Sequence, residues 1–155
     1  MTRRARLVAL LYGAGALVYG LDRLTKLLAE RQLAGRPPVV LIPHVLDLSY
    51  TTNSGGAFGV LGGQPWLFFG ATVAVCLVIV IASTRVASAT VAAGLGLILG
   101  GALGNLTDRI VHGPGVSGRV VDFIHLHHWP VFNAADSAVV VGAAVLVVAS
   151  ARRAR

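Results

Sequence analysis

The chain has 155 residues, of which 55% are hydrophobic and 12% charged, and its net charge is +7. A soluble domain carries about 25% charged residues, and one of this size could not bury so much apolar surface. The positive charge does not predict nucleic-acid binding, because the arginines flank apolar segments and form no stripe among polar residues. A single cysteine, Cys76, excludes an intrachain disulfide framework.

Four apolar segments are long enough for transmembrane helices, each of which needs about 20 mostly apolar residues. In chain order, the helices are predicted at about residues 7–28, 66–83, 86–106 and 134–151. The fold class is therefore mainly α, a polytopic membrane protein in which residues 1–155 form a single membrane-embedded domain. The third helix carries Gly96, Gly100 and Gly104 at four-residue spacing, which predicts a ridge that another helix approaches closely.

The connections at about residues 29–65 and 107–133 are the two longer ones. Residues 39–42 and 44–51 have strand composition and are separated by Pro43, and residues 53–59 are rich in turn formers. We expect these segments to form a small extracytoplasmic β-rich region beside the membrane.

Charge patterning predicts the orientation. If both termini are cytoplasmic, the arginines at the helix ends obey the positive-inside rule: they are Arg3, Arg4, Arg6, Arg85, Arg152, Arg153 and Arg155. Every Asp, Glu and His then falls in the outer connections or at the adjoining helix ends. The sequence therefore places any chemistry at the outer surface.

Several polar residues sit at the outer helix ends, where burial near a bilayer requires a partner. Asp22 and Lys26 are four residues apart and predict an intrahelical salt bridge. Asn105, Asp108 and Arg109 are helical neighbours and predict one polar network. Taken alone, both groups are expected to be structural.

Asp122 lies in an apolar run, and Asp136 lies at the start of the fourth helix with Asn133 as its predicted cap. Each has a structural explanation, for Asp122 an ion pair with Arg109 or Arg119. Together they allow a different interpretation, because two carboxylates in an apolar site cannot both ionise cheaply. One then holds a proton while the other activates water, as in aspartic proteases.

Other chemistries have less support in the sequence. Serine–lysine catalysis would need Lys26, the only lysine, and Cys76 lies among aliphatic residues that favour packing over reactivity. His125, His127 and His128 could bind a metal, but no second ligand set follows at a recognised spacing, so no metal is expected. A small transporter and a non-enzymatic membrane scaffold remain as alternative functions.

Five short motifs occur in order along nearly the whole chain: DRLTK at 22–26, NSGGAF at 53–58, GGALGNLTDR at 100–109, VVDFI at 120–124 and FNAADS at 132–137. In this order the chain resembles the lipoprotein signal peptidase family, also called signal peptidase II. The chain departs from the usual family pattern at Gly56 and Thr107, and residues 113–118 look like an insertion that changes the loop path.

The resemblance implies an aspartyl endopeptidase of the bacterial cytoplasmic (inner) membrane that cleaves diacylglyceryl-modified prolipoproteins before the lipidated cysteine. Its catalytic aspartates map onto Asp122 and Asp136. The supporting positions map onto Asp22, Lys26, Asn53, Gly55, Asn105, Asp108, Arg109 and Asn133. Among them, Asn53 and Arg109 are expected to hold the substrate backbone, and Asn105 and Asn133 to orient the pair.

The expected partners are prolipoprotein substrates and membrane lipid, with no cofactor and no nucleic acid, and the protein is expected to be a monomer. Phe58 and Trp129 are expected to help cover the bound peptide.

Overall fold

The computed structural model describes residues 1–55 and 64–153, without the side chain of Arg153. Four long helices contain most of these residues: α1 Arg3–Leu33, α2 Pro65–Ser83, α3 Ala89–Val111 and α4 Ala134–Arg153. All four are long and apolar enough to cross a membrane. The predicted mainly α architecture with four spans is thereby confirmed.

The helices differ from their predicted bounds mainly at polar ends. α1 extends beyond residues 7–28 at both ends, because Thr2 caps its first turn and charged residues continue the helix past the apolar stretch. α3 begins at Ala89 rather than 86, since the Ser88 side chain accepts a hydrogen bond from the Val91 backbone. It also continues through the polar residues after 106 to Val111. A search for apolar runs does not detect these polar turns at the helix ends.

A three-stranded antiparallel sheet forms from both long connections, in the order β1 (Val39–Ile42), β2 (Leu46–Asn53) and β3 (Val120–Leu126). The hairpin β1–β2 matches the predicted strand segments on either side of Pro43. β3 was not predicted as a strand, because its short apolar run carries no periodicity and its partner lies in the other connection. In the sheet, Asp122 is paired with Thr51.

The sheet is anchored on the C-terminal end of α1. Phe123 of β3 is buried against Ala29 and Leu33 of α1, and Leu48 and Tyr50 of β2 pack around them. β1 is the exposed edge strand. The sheet therefore presents the start of β3 to the ends of the helices.

The predicted glycine ridge is confirmed as the α1–α3 interface. A Cβ atom on Gly96 would clash with the Leu11 carbonyl, and one on Gly100 would clash with the Gly15 carbonyl and lie 2.7 Å from Val18 Cβ. A Cβ on Gly104 would meet the carboxylate of Asp22. The backbones therefore touch in a way that only glycine permits.

We predict that Gly100→Ala destabilises the protein by about 1–3 kcal/mol, because the new methyl group overpacks the interface. The matched control is Gly20→Ala, since a Cβ at that helical glycine meets nothing within 4 Å. We expect the control to change stability by less than about 1 kcal/mol, in the stabilising direction. Thermal unfolding of both variants in detergent measures the difference; equal midpoints would contradict the packing.

Candidate active site

The two aspartates meet where β3 and the first turn of α4 reach the C-terminal end of α3. Asp122 lies on β3 and is 2% exposed. Asp136 lies in the first turn of α4. The polypeptide between them turns back so that Phe132 pairs with Ile124, which brings the start of α4 alongside β3.

Asn133 bonds to both carboxylates. Its Nδ2 donates to Asp122 Oδ1 at 2.7 Å, and its backbone N–H donates to Asp136 Oδ2 at 3.2 Å. Its Oδ1 accepts from the Asp136 backbone N–H at 2.9 Å, so the predicted helix cap is present. Asn133 is fully buried. One residue thus links the two acids, through its side chain to Asp122 and through its backbone N–H to Asp136.

Asn105 of α3 is the second amide at the pair. Its Nδ2 donates to Asp136 Oδ1 at 2.8 Å, and its Oδ1 accepts from Lys26 Nζ at 2.8 Å. Because an ammonium only donates, the amide oxygen must face Lys26 and the amide nitrogen must face the carboxylate. Lys26 therefore fixes which way Asn105 points.

A buried ion cluster lies beneath the pair. Lys26 Nζ is 2.9 Å from Asp22 Oδ2 and 2.8 Å from Asp108 Oδ2, and all three side chains are fully buried. Arg23 is also paired with Asp108. The predicted Asp22–Lys26 salt bridge exists, but the expectation of an ordinary intrahelical pair is incomplete, since Asp108 of another helix completes it.

The cluster also holds the backbone of the elements that carry the pair. Asp22 Oδ1 accepts from the Ala135 backbone N–H at 3.1 Å, at the start of α4. Asp108 Oδ2 accepts from the Val121 backbone N–H at 3.1 Å, one residue before Asp122. Asp22 and Asp108, both predicted as supporting acids, therefore each accept a hydrogen bond from the backbone of the residue that precedes one member of the aspartate pair.

Arg109 has a different environment from its neighbour Asp108. Its Nη1 donates to the Asn105 carbonyl at 3.0 Å, and its guanidinium carbon lies 6.0 Å from the centre of the Phe68 ring. Its buried Nε has no hydrogen-bond partner among the described residues. Arg109 thus joins the predicted network through the Asn105 carbonyl, whereas Asp108 is linked to Asn105 through Lys26.

Arg109 and Asp136 line one cavity of about 290 Å³ between α2, α3 and α4. The remaining lining is mostly apolar: Thr72, Val75, Ile98, Ala102, Asn105, Val139 and Val140. The cavity leads from the apolar helix surfaces to the side chains of Asp136 and Arg109.

Asn53 and Gly55 approach the pair from the end of β2. Asn53 Oδ1 accepts from the Gly55 backbone N–H at 2.8 Å. Gly55 has a φ of 111°, and a Cβ there would lie 2.5 Å from the Phe68 ring, so glycine is required. Phe58 and Gly56 lie outside the described residues, and Trp129 is exposed just beyond β3.

The pKa of Asp122 is raised to about 7, chiefly by burial and then by the negative charge of Asp136. Hydrogen bonds from Asn133 and Asn53 and the positive charge of Lys26 lower it only partly. Among the described residues Asp122 has no ion pair with an arginine, so the structural alternative, a pairing with Arg109 or Arg119, is not found. Asp122 therefore retains a proton up to near-neutral pH.

The alternative nucleophiles find no support in these surroundings. Lys26 Nζ is engaged by oxygens of Asp22, Asp108 and Asn105, so it is not available as a base for a serine. Cys76 of α2 packs beside an apolar cluster that contains Leu11 and Leu99.

Arg23 is a supporting residue whose role the sequence pattern did not predict. It pairs with Asp108 across two helices. Its place directly after Asp22 in the first motif was the available signal.

Residues 14–152 match the family model of signal peptidase (SPase) II. This chain belongs to that family. It is 44% identical to a lipoprotein signal peptidase of Rhodococcus jostii over 96% of this chain and 74% of that protein. It is 42% identical to one of Mycobacterium avium over 96% of this chain and 82% of that protein.

A solved structure described as a bacterial membrane enzyme superposes with a TM-score of 0.79 at 28% identity, over 90% of this chain and 85% of that one. The signal peptidase II chain is accordingly a protease and a bacterial membrane protein, and the transporter and scaffold alternatives are set aside.

We predict that Lys26→Met destabilises this signal peptidase II by about 3–5 kcal/mol, because it leaves the buried charges of Asp22 and Asp108 without their shared cation. Arg31→Met, an exposed change on the same helix, should alter stability by less than about 0.5 kcal/mol. Denaturant or thermal unfolding in detergent compares the two. A Lys26 variant as stable as the Arg31 variant would refute the energetic role of the cluster.

Proposed function

We propose that the chain is an aspartyl endopeptidase that removes signal peptides from diacylglyceryl-modified prolipoproteins, with Asp122 and Asp136 as its catalytic pair. The observation that carries the proposal is that both carboxylates are bonded to Asn133 at one end of the helix bundle. They lie beside an apolar cavity that Asp136 itself lines. The relatives named lipoprotein signal peptidases support the substrate class, and the geometry of the pair supports the chemistry.

The surroundings of the two acids favour different protonation states. The raised pKa of Asp122 supports its role as the protonated partner. Asp136 accepts hydrogen bonds from Asn105 Nδ2 and the Asn133 N–H and lies at a helix N-terminus, all of which stabilise a negative charge. We therefore assign Asp136 as the base and Asp122 as the acid.

In the proposed reaction, Asp136 takes a proton from a water molecule, whose oxygen attacks the scissile carbonyl carbon. Asp122 donates its proton toward the carbonyl oxygen as negative charge develops there. When the tetrahedral intermediate collapses, the C–N bond breaks and the proton held by Asp136 passes to the leaving amine. Asp122 recovers its proton from the intermediate's hydroxyl group, so the pair returns to its starting state.

The supporting residues are proposed to act in two ways. Asn105 and Asn133 orient the acids by the hydrogen bonds described above. Arg109 is proposed to donate its buried Nε–H to a substrate carbonyl, since that donor has no partner among the described residues. Asn53 is proposed to hold the substrate backbone from the opposite side, at the end of β2.

The orientation follows from the charge distribution. Arg3 donates to the Ala87 carbonyl, so the N-terminus of α1 and the α2–α3 hairpin with Arg85 lie at the same end of the bundle. The aspartate pair and the sheet lie at the other end. We propose that the arginine end and both termini are cytoplasmic and that the pair faces the outer side.

An aspartate pair near the outer surface of the membrane suits a lipidated substrate. A signal peptide is an apolar helix, and its cleavage point near the outer surface would reach the pair without crossing the bilayer. The diacylglyceryl chains could remain in membrane lipid throughout. A single chain supplies both aspartates and both amides, so we propose that the monomer is sufficient.

We predict that Asp122→Asn and Asp136→Asn each lower the rate of prolipoprotein cleavage by at least about a thousandfold, because each removes an essential proton-transfer group. The matched control is Glu30→Gln, which removes an acid of α1 that pairs with His112 instead. The measurement is single-turnover cleavage of a lipidated prolipoprotein by purified enzyme. Folded aspartate variants that cleave at the wild-type rate would refute the proposal.

We further predict a pH dependence. Because the raised pKa of Asp122 is about 7, its proton is present below that pH and lost above it. The value of kcat/KM should therefore fall by about tenfold per pH unit well above 7. Infrared spectroscopy should show a protonated carboxyl band that disappears over the same range and is absent from Asp122→Asn. A flat rate profile through this range would contradict the assignment.

A further inference from the structure

Asp47, His125 and His127 form a cluster at the outer end of the sheet, away from the aspartate pair. Asp47 of β2 is in register with His125 of β3. His125 and His127 lie two residues apart, and their rings are stacked with centroids 5.0 Å apart. The Asp47 Oδ2 atom lies 2.8 Å from His127 Nε2 and 3.7 Å from His125 Nδ1.

We propose that these three side chains form a binding site for a divalent transition-metal ion and that Zn²⁺ is the ion that fits it best. The potential ligand atoms all lie within 4.8 Å of one another. Ligand atoms on a tetrahedral zinc ion, at bond lengths of about 2.0–2.1 Å, are separated by about 3.3 Å. The two oxygen–nitrogen distances bracket that value, so small side-chain rotations suffice.

The donor types also fit zinc. Two imidazole nitrogens and one carboxylate oxygen form a ligand set that zinc proteins use, with a fourth position left for water. The side chains of His125 and His127 are 37% and 32% exposed, so an ion and its water can enter from solvent. A simple hydrogen bond between Asp47 and His127 would not explain why His125 also lies beside Asp47 with its ring stacked on that of His127.

In the sequence, His125, His127 and His128 have no further ligand at a recognised spacing. The structure replaces His128 by Asp47, which is 78 positions from His125 along the chain and adjacent to it in the sheet. The backbone of His128 has a φ of 73°, which turns the chain away after His127.

Zinc bound here would link β2 to β3. The same strand β3 carries Asp122, and the β2–β3 pairing is irregular between Leu48 and Thr51, between the metal cluster and the catalytic end. The proposed peptidase reaction uses no metal, so this site is independent of it. Its role is to fasten the outer part of the sheet.

The test is calorimetric titration of ZnCl₂ into the purified, chelator-treated full chain in detergent. We expect one equivalent to bind to the wild type. Asp47→Asn and the double change His125→Asn with His127→Asn should each weaken binding by at least about tenfold, as even the loss of an outer-shell partner does. Asp47→Asn keeps a hydrogen-bond acceptor, so a merely structural Asp47–His127 contact would not produce this loss.

The matched control replaces two other histidines of the same region, His44→Asn with His128→Asn. Both have positive φ values, which asparagine tolerates, and neither belongs to the cluster. The control should bind zinc as the wild type does, and a Co²⁺-loaded wild type should show a tetrahedral visible spectrum that Asp47→Asn lacks. Absence of wild-type binding, or equal loss in the control, would overturn the proposal.

The titration is repeated in Asp122→Asn, whose cleavage activity is expected to be absent. Unchanged zinc binding in this variant keeps the two proposals separate, because the metal site is then measured without reference to peptidase activity. Loss of zinc binding in Asp122→Asn would overturn the independence of the site.

Discussion

The position of the aspartate pair depends on one buried ammonium group. Lys26 faces two carboxylates and an amide oxygen, and each of those partners holds something else: Asp22 the start of α4, Asp108 the start of β3, and Asn105 the side chain of Asp136. Buried charges are costly unless every partner is satisfied. Here Lys26 lies within ion-pair distance of both Asp22 and Asp108, and Arg23 supplies Asp108 with a second cation. A residue that touches neither catalytic candidate thus locates both.

The two acids are chemically alike, and their surroundings make them different. Asp122 lies on a buried strand, where desolvation and the charge of Asp136 favour its protonated form. Asp136 begins a helix, where N–H donors and the dipole favour negative charge. The strand and the helix start therefore suit the proposed roles of Asp122 as acid and Asp136 as base. Asn133, which precedes α4 and bonds to both, joins the two environments.

The sequence was informative wherever the controlling interactions are local. Apolar length predicted the four spans, glycine spacing predicted a close helix approach to α3 without naming the partner, and Asn133 was predicted as a cap three residues before Asp136. It failed where the partner is distant in sequence. β3, the engagement of Lys26 by Asp108 and the meeting of Asp47 with His125 all join residues about 70–80 positions apart, and no periodicity encodes such pairings.

The glycine ridge and the ion cluster are parts of one interface. Gly96, Gly100, Gly104 and Asp108 follow one another at four-residue spacing, so the ridge without side chains ends in a carboxylate. Without a hydrophobic force between helices in lipid, such close contact depends on packing and polar bonds. The backbones of α1 and α3 touch along the glycines, and at Gly104 the space a Cβ would need is filled by Asp22. Larger residues would separate the helices and withdraw Lys26 from Asp108 and Asn105. The contact that holds the bundle together in the bilayer is thus also what brings the ammonium within reach of the site.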